Sequence, residues 1–446
     1  MMTKENNNHD MSLFSWRLAM LVGLVSLIEI SFWSVFNIYV PIFLQAGNEG
    51  WTGAEGVRGF ALAPTLAYFI MTLDNIFLIL LSAWAGEQSG KRWFGPLLGR
   101  RKPWILGGTL LSLGSLFFIP LAVTLPIFFA AIIVNNTGHS LLKAPAKAWI
   151  GDFFKVKDYD KANGVYAFLG SLGAFVALVI GGRFFDAGYR IAPFLVIAVL
   201  FVIVMIILFF FLKEPPLLTD AQSFMQEAPT QVTLSFKELL SDMLHGRNNQ
   251  ALYAFLTVLL FNIGYGAQAV GISSFAVFEL GMDVGRAGYV IVISTLCFVL
   301  SVIPSGMLAS RFGRKRVMNL GILLYIGVGL LAIFFVHSVA SFLAVAALVG
   351  LAWALVYVGA FPLILEAGKG HDSGVYSALF VIATQLAFII GPVIAGVAIE
   401  LSHTQRSLFV IITLAFISSA FMLRQVPTNI TTNTSTNTSP NTSPKK

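Results

Sequence analysis

A chain of 446 residues of which 57% are hydrophobic and 11% charged cannot be an ordinary soluble domain, whose charged share is about 25%. Its net charge of +7 does not point to nucleic acid, because the lysines and arginines collect in short segments between apolar runs, where they set membrane topology. The only cysteine, Cys297, excludes an intrachain disulfide, and the apolar runs are too long for the ~10-residue alternating strands of an outer-membrane barrel.

Residues 1–16 read as a polar tail. Met1 to Asp10 holds no short apolar core followed by a small-residue cleavage site, so the first apolar run is expected to be a retained span. Runs of about 20 residues, each enough to cross a ~30 Å hydrocarbon core as a helix, then follow one another. Six lie at about 17–44, 59–86, 103–121, 125–150, 163–185 and 190–212, with boundaries good to ±2–4 residues. Six more lie at about 250–279, 287–309, 317–336, 340–366, 374–400 and 404–424, within the same margin.

The expected fold is an all-α membrane protein with 12 transmembrane helices in two six-helix bundles, 17–212 and 250–424. A linker, 213–249, joins them. It opens with Lys213-Glu214-Pro215-Pro216, where proline ends the sixth helix. Within it Phe236, Leu239, Leu240, Met243 and Leu244 recur at helical spacing, which suits either an amphipathic helix on the membrane surface or a plain connector. Residues 425–446 form a tail rich in Thr, Asn, Ser and Pro that cannot bury apolar surface and is expected to be disordered.

Basic residues follow even-numbered spans: Lys91, Arg92, Arg100, Arg101 and Lys102; Lys155, Lys157 and Lys161; Arg311, Arg314, Lys315 and Arg316. The opposite loops carry isolated charges such as Arg58, Arg190, Arg286 and Arg406. By the positive-inside rule both termini are expected in the cytoplasm.

The halves repeat one another. Gly164-Val165-Tyr166 opens the fifth span and Gly374-Val375-Tyr376 the eleventh, an offset of 210 that also relates Gly181 to Gly391. Two basic hinges, Gly99-Arg100-Arg101-Lys102 and Gly313-Arg314-Lys315-Arg316, stand 214 residues apart. Several matches in order at similar offsets indicate duplication, the plan of transporters whose site lies between halves near the midplane.

On these residues the chain resembles the major facilitator superfamily. Gly306-Met307-Leu308-Ala309-Ser310-Arg311-Phe312-Gly313-Arg314-Lys315 is similar to that family's Gly-x-x-x-Asp-Arg-x-Gly-Arg-Lys loop, with Ser310 at the acidic position. Gly99-Arg100-Arg101-Lys102-Pro103 resembles the Gly-Arg-Arg-Arg-Pro of sucrose–proton symporters and their animal and bacterial relatives, the glycoside–cation symporter group. Pro145-Ala146-Lys147-Ala148-Trp149-Ile150-Gly151-Asp152 is similar to the group's Pro-x-Arg-Ala-x-x-x-Asp, and Glu29 before Val40-Pro41 to a first-span Glu and Val-x-Pro segment. Lys147 replaces the arginine, and Gly90 stands at the first loop's aspartate position. The resemblance implies a multi-pass protein of a cell membrane, the bacterial inner membrane, working as a monomer with a small solute and a proton as partners.

Proton coupling needs a buried group whose proton affinity differs between two states, and intramembrane carboxyls are functional candidates by default. Glu29 is twelve residues from Arg17, ~18 Å into its helix at 1.5 Å per residue. Ser26, Glu29, Trp33 and Asn37 share one face. Asp74 is similarly deep in the second span, beside Asn75. On the fourth span Asn135, His139, Lys143 and Lys147 recur every fourth residue as one polar stripe, so Lys143 can meet Glu29 or Asp74, either as coupling groups or as a permanent structural pair. His139 is a titratable candidate or a plain hydrogen-bonding group.

Sugar recognition needs hydrogen-bonding side chains and flat aromatics. Asn37 and Asn135 are candidates in the first half; Asn262, Tyr265 and Gln268, Trp353 and Tyr357, and Gln385 are candidates in the second. Arg100, Arg101, Lys147, Asp152, Arg314 and Lys315 are expected to gate the cytoplasmic side, by anchoring loops or latching one state. Arg183 and Asp186 read as a local helix-end pair or gate.

The expected activity is proton-coupled symport of a sugar or glycoside by alternating access. The alternative is a proton-coupled exporter of amphipathic compounds. A membrane enzyme or sensor is disfavoured, since the sequence shows no nucleotide-binding loop, metal cluster or nucleophile motif, and no cofactor or metal is implied.

Overall fold

The computed structural model describes residues 14–154, 158–214, 241, 243, 245, 249–367 and 373–427. Most of the amphipathic stretch around Phe236–Leu244 and most of both tails lie outside the described residues. Twelve helices are long and apolar enough to cross a membrane. In the first half these are α1 (Trp16–Gln45), α2 (Pro64–Lys91), α3 (Lys102–Leu121), α4 (Leu125–Phe153), α5 (Tyr159–Asp186) and α6 (Ala192–Phe211). In the second they are α7 (Asn249–Glu279), α8 (Gly288–Phe312), α9 (Arg314–Phe335), α10 (Val339–Ala367), α11 (Ser373–Ser402) and α12 (Ser407–Gln425). No strand occurs among the described residues.

The second helix starts later than its apolar run. Residues 46–63 instead fold back on the end of α1, with Phe60 N donating to Phe43 O and Leu62 N to Leu44 O. Pro64 then opens the helix at its first turn, where a missing N–H costs nothing. This helix is also irregular. Its α-helical geometry breaks at Thr72, resumes over Leu73–Phe77 and passes through a π-helical turn, Leu78–Ser82. Asp74 sits at that break, and π-turns inside helices recur at functional sites.

Packing follows the duplication. In the first half α1 lies against α5 and α6, and α4 against α2 and α3; in the second α7 lies against α11 and α12, and α10 against α8 and α9. The α3–α4 seam is closed by two glycines: a Cβ on Gly108 would sit 2.5 Å from Gly138 O, and one on Gly138 2.6 Å from Gly108 O. Small residues let membrane helices approach this closely, where packing rather than hydrophobicity drives association.

Phe14, Val426 and both basic hinges lie on one face of the bundle, termed the hinge face; the other is the far face. At the first hinge Arg100 Nη2 and Arg101 Nε donate to Asp152 at 2.6 and 2.5 Å. In the second half Arg314 Nη1 donates to Glu366 Oε1 at 3.1 Å. Both pairs span 52 residues, so duplication has preserved an ion pair as well as a motif. Lys102 Nζ caps the end of α6 through Leu212 O, and Lys315 Nζ does the same beyond α12 through Val426 O. All these contacts stay within one half.

Glu214 completes the first hinge. Its carboxylate accepts from the backbone N–H groups of Arg100, Arg101 and Lys102 at 2.7, 3.0 and 2.6 Å, and from Trp149 Nε1 at 3.1 Å. A carboxylate there satisfies the free donors and the positive end of α3. Glu214→Ala is expected to destabilise the chain by about 1–3 kcal/mol, the cost of stranding buried donors. Thermal unfolding in detergent, compared with Glu214→Gln, reads this; an unchanged midpoint would show that the donors find other partners.

Candidate functional site

The polar face of α1 meets the polar stripe of α4 inside the first half. Glu29, only 5% exposed, accepts from Tyr166 OH of α5 at 2.5 Å through Oε2. Its Oε1 lies 3.6 Å from Lys143 Nζ. Lys147 Nζ stands 4.1 Å from the centre of the Tyr166 ring. Two residues from two other helices, Tyr166 of α5 and Lys143 of α4, thus hold the carboxylate of α1, with a second cation behind the phenol. The local cause is spacing: Lys143 and Lys147 project one turn apart from one face of α4.

His139 is fully buried, tilted against Phe32 at 5.2 Å and edge-on to Trp33 at 4.7 Å. Asp74 stands apart, accepting from Asn75 Nδ2 at 2.7 Å and within electrostatic reach of Lys143. Lys143 thus contacts Glu29 and lies within electrostatic reach of Asp74.

Further along the same face of α1 a cavity of about 410 Å³ opens between the halves. Trp33, Ser34 and Asn37 form one wall with Ser171 of α5. Opposite are Tyr265 and Gln268 of α7, Ser294 and Thr295 of α8, and Trp353 of α10. Tyr265 and Trp353 stack face to face at 3.8 Å. Gln268 Oε1 accepts from Tyr325 OH at 2.7 Å, which leaves the amide N–H₂ of Gln268 oriented by that bond. Among the described residues no lining side chain carries a formal charge.

Of the sequence candidates, Asn37, Tyr265, Gln268 and Trp353 line the cavity. Asn135 lies in the α3–α4 seam, where its backbone oxygen accepts from Ser112 Oγ at 3.3 Å. Asn262 is buried and donates to Val258 O of its own helix at 2.8 Å. Tyr357 is exposed, edge-on to Phe298, and Gln385 is partly exposed; neither lines the cavity. Arg100, Arg101, Asp152, Arg314 and Lys315 sit in the two hinge networks, whereas Lys147 belongs with the Glu29 cluster.

The far face is closed across the halves. Asp186 Oδ1 accepts from Gly285 N at 2.7 Å, and its Oδ2 lies 4.0 Å from Arg286 Nε. Of the two readings of Arg183 and Asp186, a local helix-end pair or a gate, the pair does not form among the described residues; Asp186 instead bridges to the second half, because the last turn of α5 abuts the start of α8. Gln45 Nε2 donates to Ser274 Oγ at 2.8 Å, Ser273 Oγ to Asn37 O at 3.2 Å, and Thr65 N to Glu400 Oε2 at 3.4 Å. Among the described residues no hydrogen bond or ion pair joins the halves on the hinge face.

Sequence reasoning missed Tyr166, Glu214 and the partner of Asp186. Tyr166 was visible only as the third residue of the repeated Gly-Val-Tyr, and Glu214 only as a carboxylate before two prolines.

A family model described as the Major Facilitator Superfamily matches residues 22–275 and 254–444. Multidrug resistance protein 2 of Bacillus subtilis (strain 168) is 25% identical over 356 residues, covering 77% of this chain and 82% of its own. The crystal structure of nucleoside transporter NupG aligns over 92% of this chain and 98% of its own, with a TM-score of 0.66 and 15% identity. A bacterial homologue of the human lysosomal transporter Spinster, in an inward-facing and unoccupied conformation, aligns over 92% and 96% with a TM-score of 0.66 and 13% identity. At such identities these structures speak to fold alone.

Proposed function

The chain belongs to the major facilitator superfamily, and on that premise we propose that it is a proton-coupled symporter of a small uncharged solute, a sugar or glycoside. It works as a monomer in a cell membrane, the bacterial inner membrane, with both termini cytoplasmic, and not as an enzyme. The observation that carries this is Glu29, held between Tyr166 OH and Lys143 one residue from a wall of the cavity between the halves.

The positive-inside rule makes the hinge face cytoplasmic. The closed far face is then the outer one, and this state faces inward. Ionised Glu29 engages Lys143 and the Tyr166 hydroxyl. Protonation removes that charge and frees the ammonium for Asp74, its other carboxyl neighbour. One proton thereby changes which helices are tied together, α1 to α4 or α2 to α4, as coupling requires when a ligand must favour one of two arrangements.

The cavity's amide, hydroxyl and indole groups suit a solute with hydroxyls and a flat apolar face, and its uncharged lining favours a neutral one. The glycoside–cation symporter motifs around Gly99–Pro103 and Pro145–Asp152 support sugar. A second reading, export of amphipathic compounds, is favoured by the likeness to multidrug resistance protein 2 and by the cavity's aromatic walls.

Proteoliposomes separate them. Labelled sucrose and a labelled aryl glucoside are expected to accumulate when the interior is made alkaline. Absence of sugar flux, with ethidium extruded instead, would replace symport by export. Trp353→Ala is expected to raise KM for the transported glycoside about tenfold, or about 1.4 kcal/mol, by removing half of the Tyr265–Trp353 platform. A change in kcat alone would place the platform outside the binding step.

A further inference from the structure

Five of the ten buried side-chain polar atoms that find no hydrogen-bond partner among the described residues lie on six consecutive residues of α4. They are Asn135 Nδ2, Asn136 Oδ1, both ring nitrogens of His139, and Ser140 Oγ; Trp33 Nε1 of α1, against the His139 ring, is a sixth such atom. Buried polar atoms are costly without partners, and a cluster of them is a place where internal water is held. Isolated orphans need no such account. A run along one helix does.

The run has two ends, and each is a carboxyl. At the hinge-face end, Lys143 one turn beyond His139 contacts Glu29. The other end follows from register. Helices α2 and α4 run in the same direction, and a Cβ on Gly86 would touch Ala144 at 3.0 Å, so the Ala144 face of α4 meets α2. Ser140 and Asn136 lie one and two turns back along that face. Asp74, twelve residues before Gly86 along a helix shortened by its π-helical turn, then stands beside the Asn136 end of that face. From Asn135 to Lys143 is eight residues, ~12 Å of helix, and the unpartnered atoms lie within that interval. The charged or titratable groups around it are Asp74 from α2, Glu29 from α1, Tyr166 from α5, and Lys143 and Lys147 from α4 itself.

Building on the coupling role proposed for Glu29, we infer that Asn136, His139 and Ser140 hold a short file of internal water that passes a proton between Asp74 and Glu29. A proton leaving Asp74 moves through water at Asn136 to one ring nitrogen of His139. The proton on the other ring nitrogen leaves through water at Ser140 and ends on Glu29. His139 finishes neutral in the opposite tautomer, Asp74 gains one negative charge and Glu29 loses one. Lys143 then follows the charge from Glu29 towards Asp74. The file therefore couples the break in α2 to the Glu29–Tyr166–Lys143 knot without exposing either carboxyl to the far face.

The test uses the full chain in lipid nanodiscs at acid pH, with no solute present. After a switch from H₂O to D₂O, the carboxylic acid C=O stretch is followed by infrared difference spectroscopy, with Asp74→Asn identifying the Asp74 band. His139→Leu combined with Ser140→Ala is expected to slow exchange of that band at least tenfold, and His139→Gln, which keeps polar atoms at both ring-nitrogen ends, to slow it less. Equal exchange in wild type and the double variant would overturn the relay. Radiolytic hydroxyl-radical labelling of wild type provides a check free of any variant: oxidation of the buried His139 is expected from adjacent water, and an unlabelled His139 would overturn the file. Neither measurement needs transport, so failure here leaves symport standing, and failure of gradient-driven uptake leaves the relay standing.

Discussion

Glu29→Gln is expected to abolish accumulation driven by a pH gradient while leaving solute exchange across the membrane. A gradient of two pH units can sustain about 100-fold accumulation in one-to-one symport, since each tenfold step is 1.4 kcal/mol; the variant is expected to fall to equal concentrations on both sides. The amide keeps the size of the side chain and can still accept from Tyr166 OH, so the fold persists, but it can no longer change charge. Lys143 is left with Asp74 as its carboxyl neighbour, which favours a single arrangement. The measurement is uptake of the labelled aryl glucoside into proteoliposomes with and without the gradient, beside counterflow at equal pH. Wild-type accumulation in Glu29→Gln would take the carboxyl out of coupling. Tyr166→Phe, which removes one donor and no charge, is expected to keep accumulation and alter only its pH dependence.

The second large effect is expected at the far face. The backbones of α5 and the α7–α8 turn touch through Gly182 and Gly285: a Cβ on Gly285 would lie 2.0 Å from Gly182 O, and one on Gly182 2.2 Å from Gly285 O. Neither neighbour is a flexible side chain, so the overlap can be relieved only by moving the helices apart. Gly285→Val is therefore expected to drive the chain to a state open on the far face. Moving a two-state equilibrium from 1:99 to 99:1 takes about 5.5 kcal/mol, within reach of a backbone collision. Spin labels at Tyr189 and Leu401, both well exposed at that face, in a Cys297→Ser background, report the separation of the halves. The distance is expected to lengthen in Gly285→Val and to change less in Gly285→Ala. Wild-type distances in both would show that the closure yields locally. Solute flux in Gly285→Val is expected to fall sharply, because a chain held open on one side cannot alternate.

How far the site was legible depended on whether its partners were near in sequence. The stripe Asn135, His139, Lys143 and Lys147 could be read from spacing because 3.6-residue periodicity is local. So could the alignment of Glu29 with Trp33 and Asn37, which do run from the carboxylate knot to the cavity wall. Asn262 shares a helix with the cavity residues Tyr265 and Gln268, and Asn135 shares a stripe with His139 and Lys143, yet the rotation of each helix about its axis turns both away from the cavity. That rotation is set by packing against neighbours such as Gly108 on Gly138, and no residue encodes it alone.

Composition, span length and the alternation of basic loops by themselves determined a twelve-helix membrane protein, because hydrocarbon admits few ways to satisfy a backbone. The 210-residue repeat determined two related halves, and the paired hinges determined that their ends share a face. Only the tertiary structure decided which carboxyl meets Lys143, that Tyr166 completes the knot, and that Asp186 bridges to Gly285 rather than pairing with Arg183. It alone decided that α2 breaks at Asp74 and which face of the molecule is shut. These are contacts between helices far apart in the chain, where a rotation of one residue, about 100°, exchanges a cavity wall for a seam.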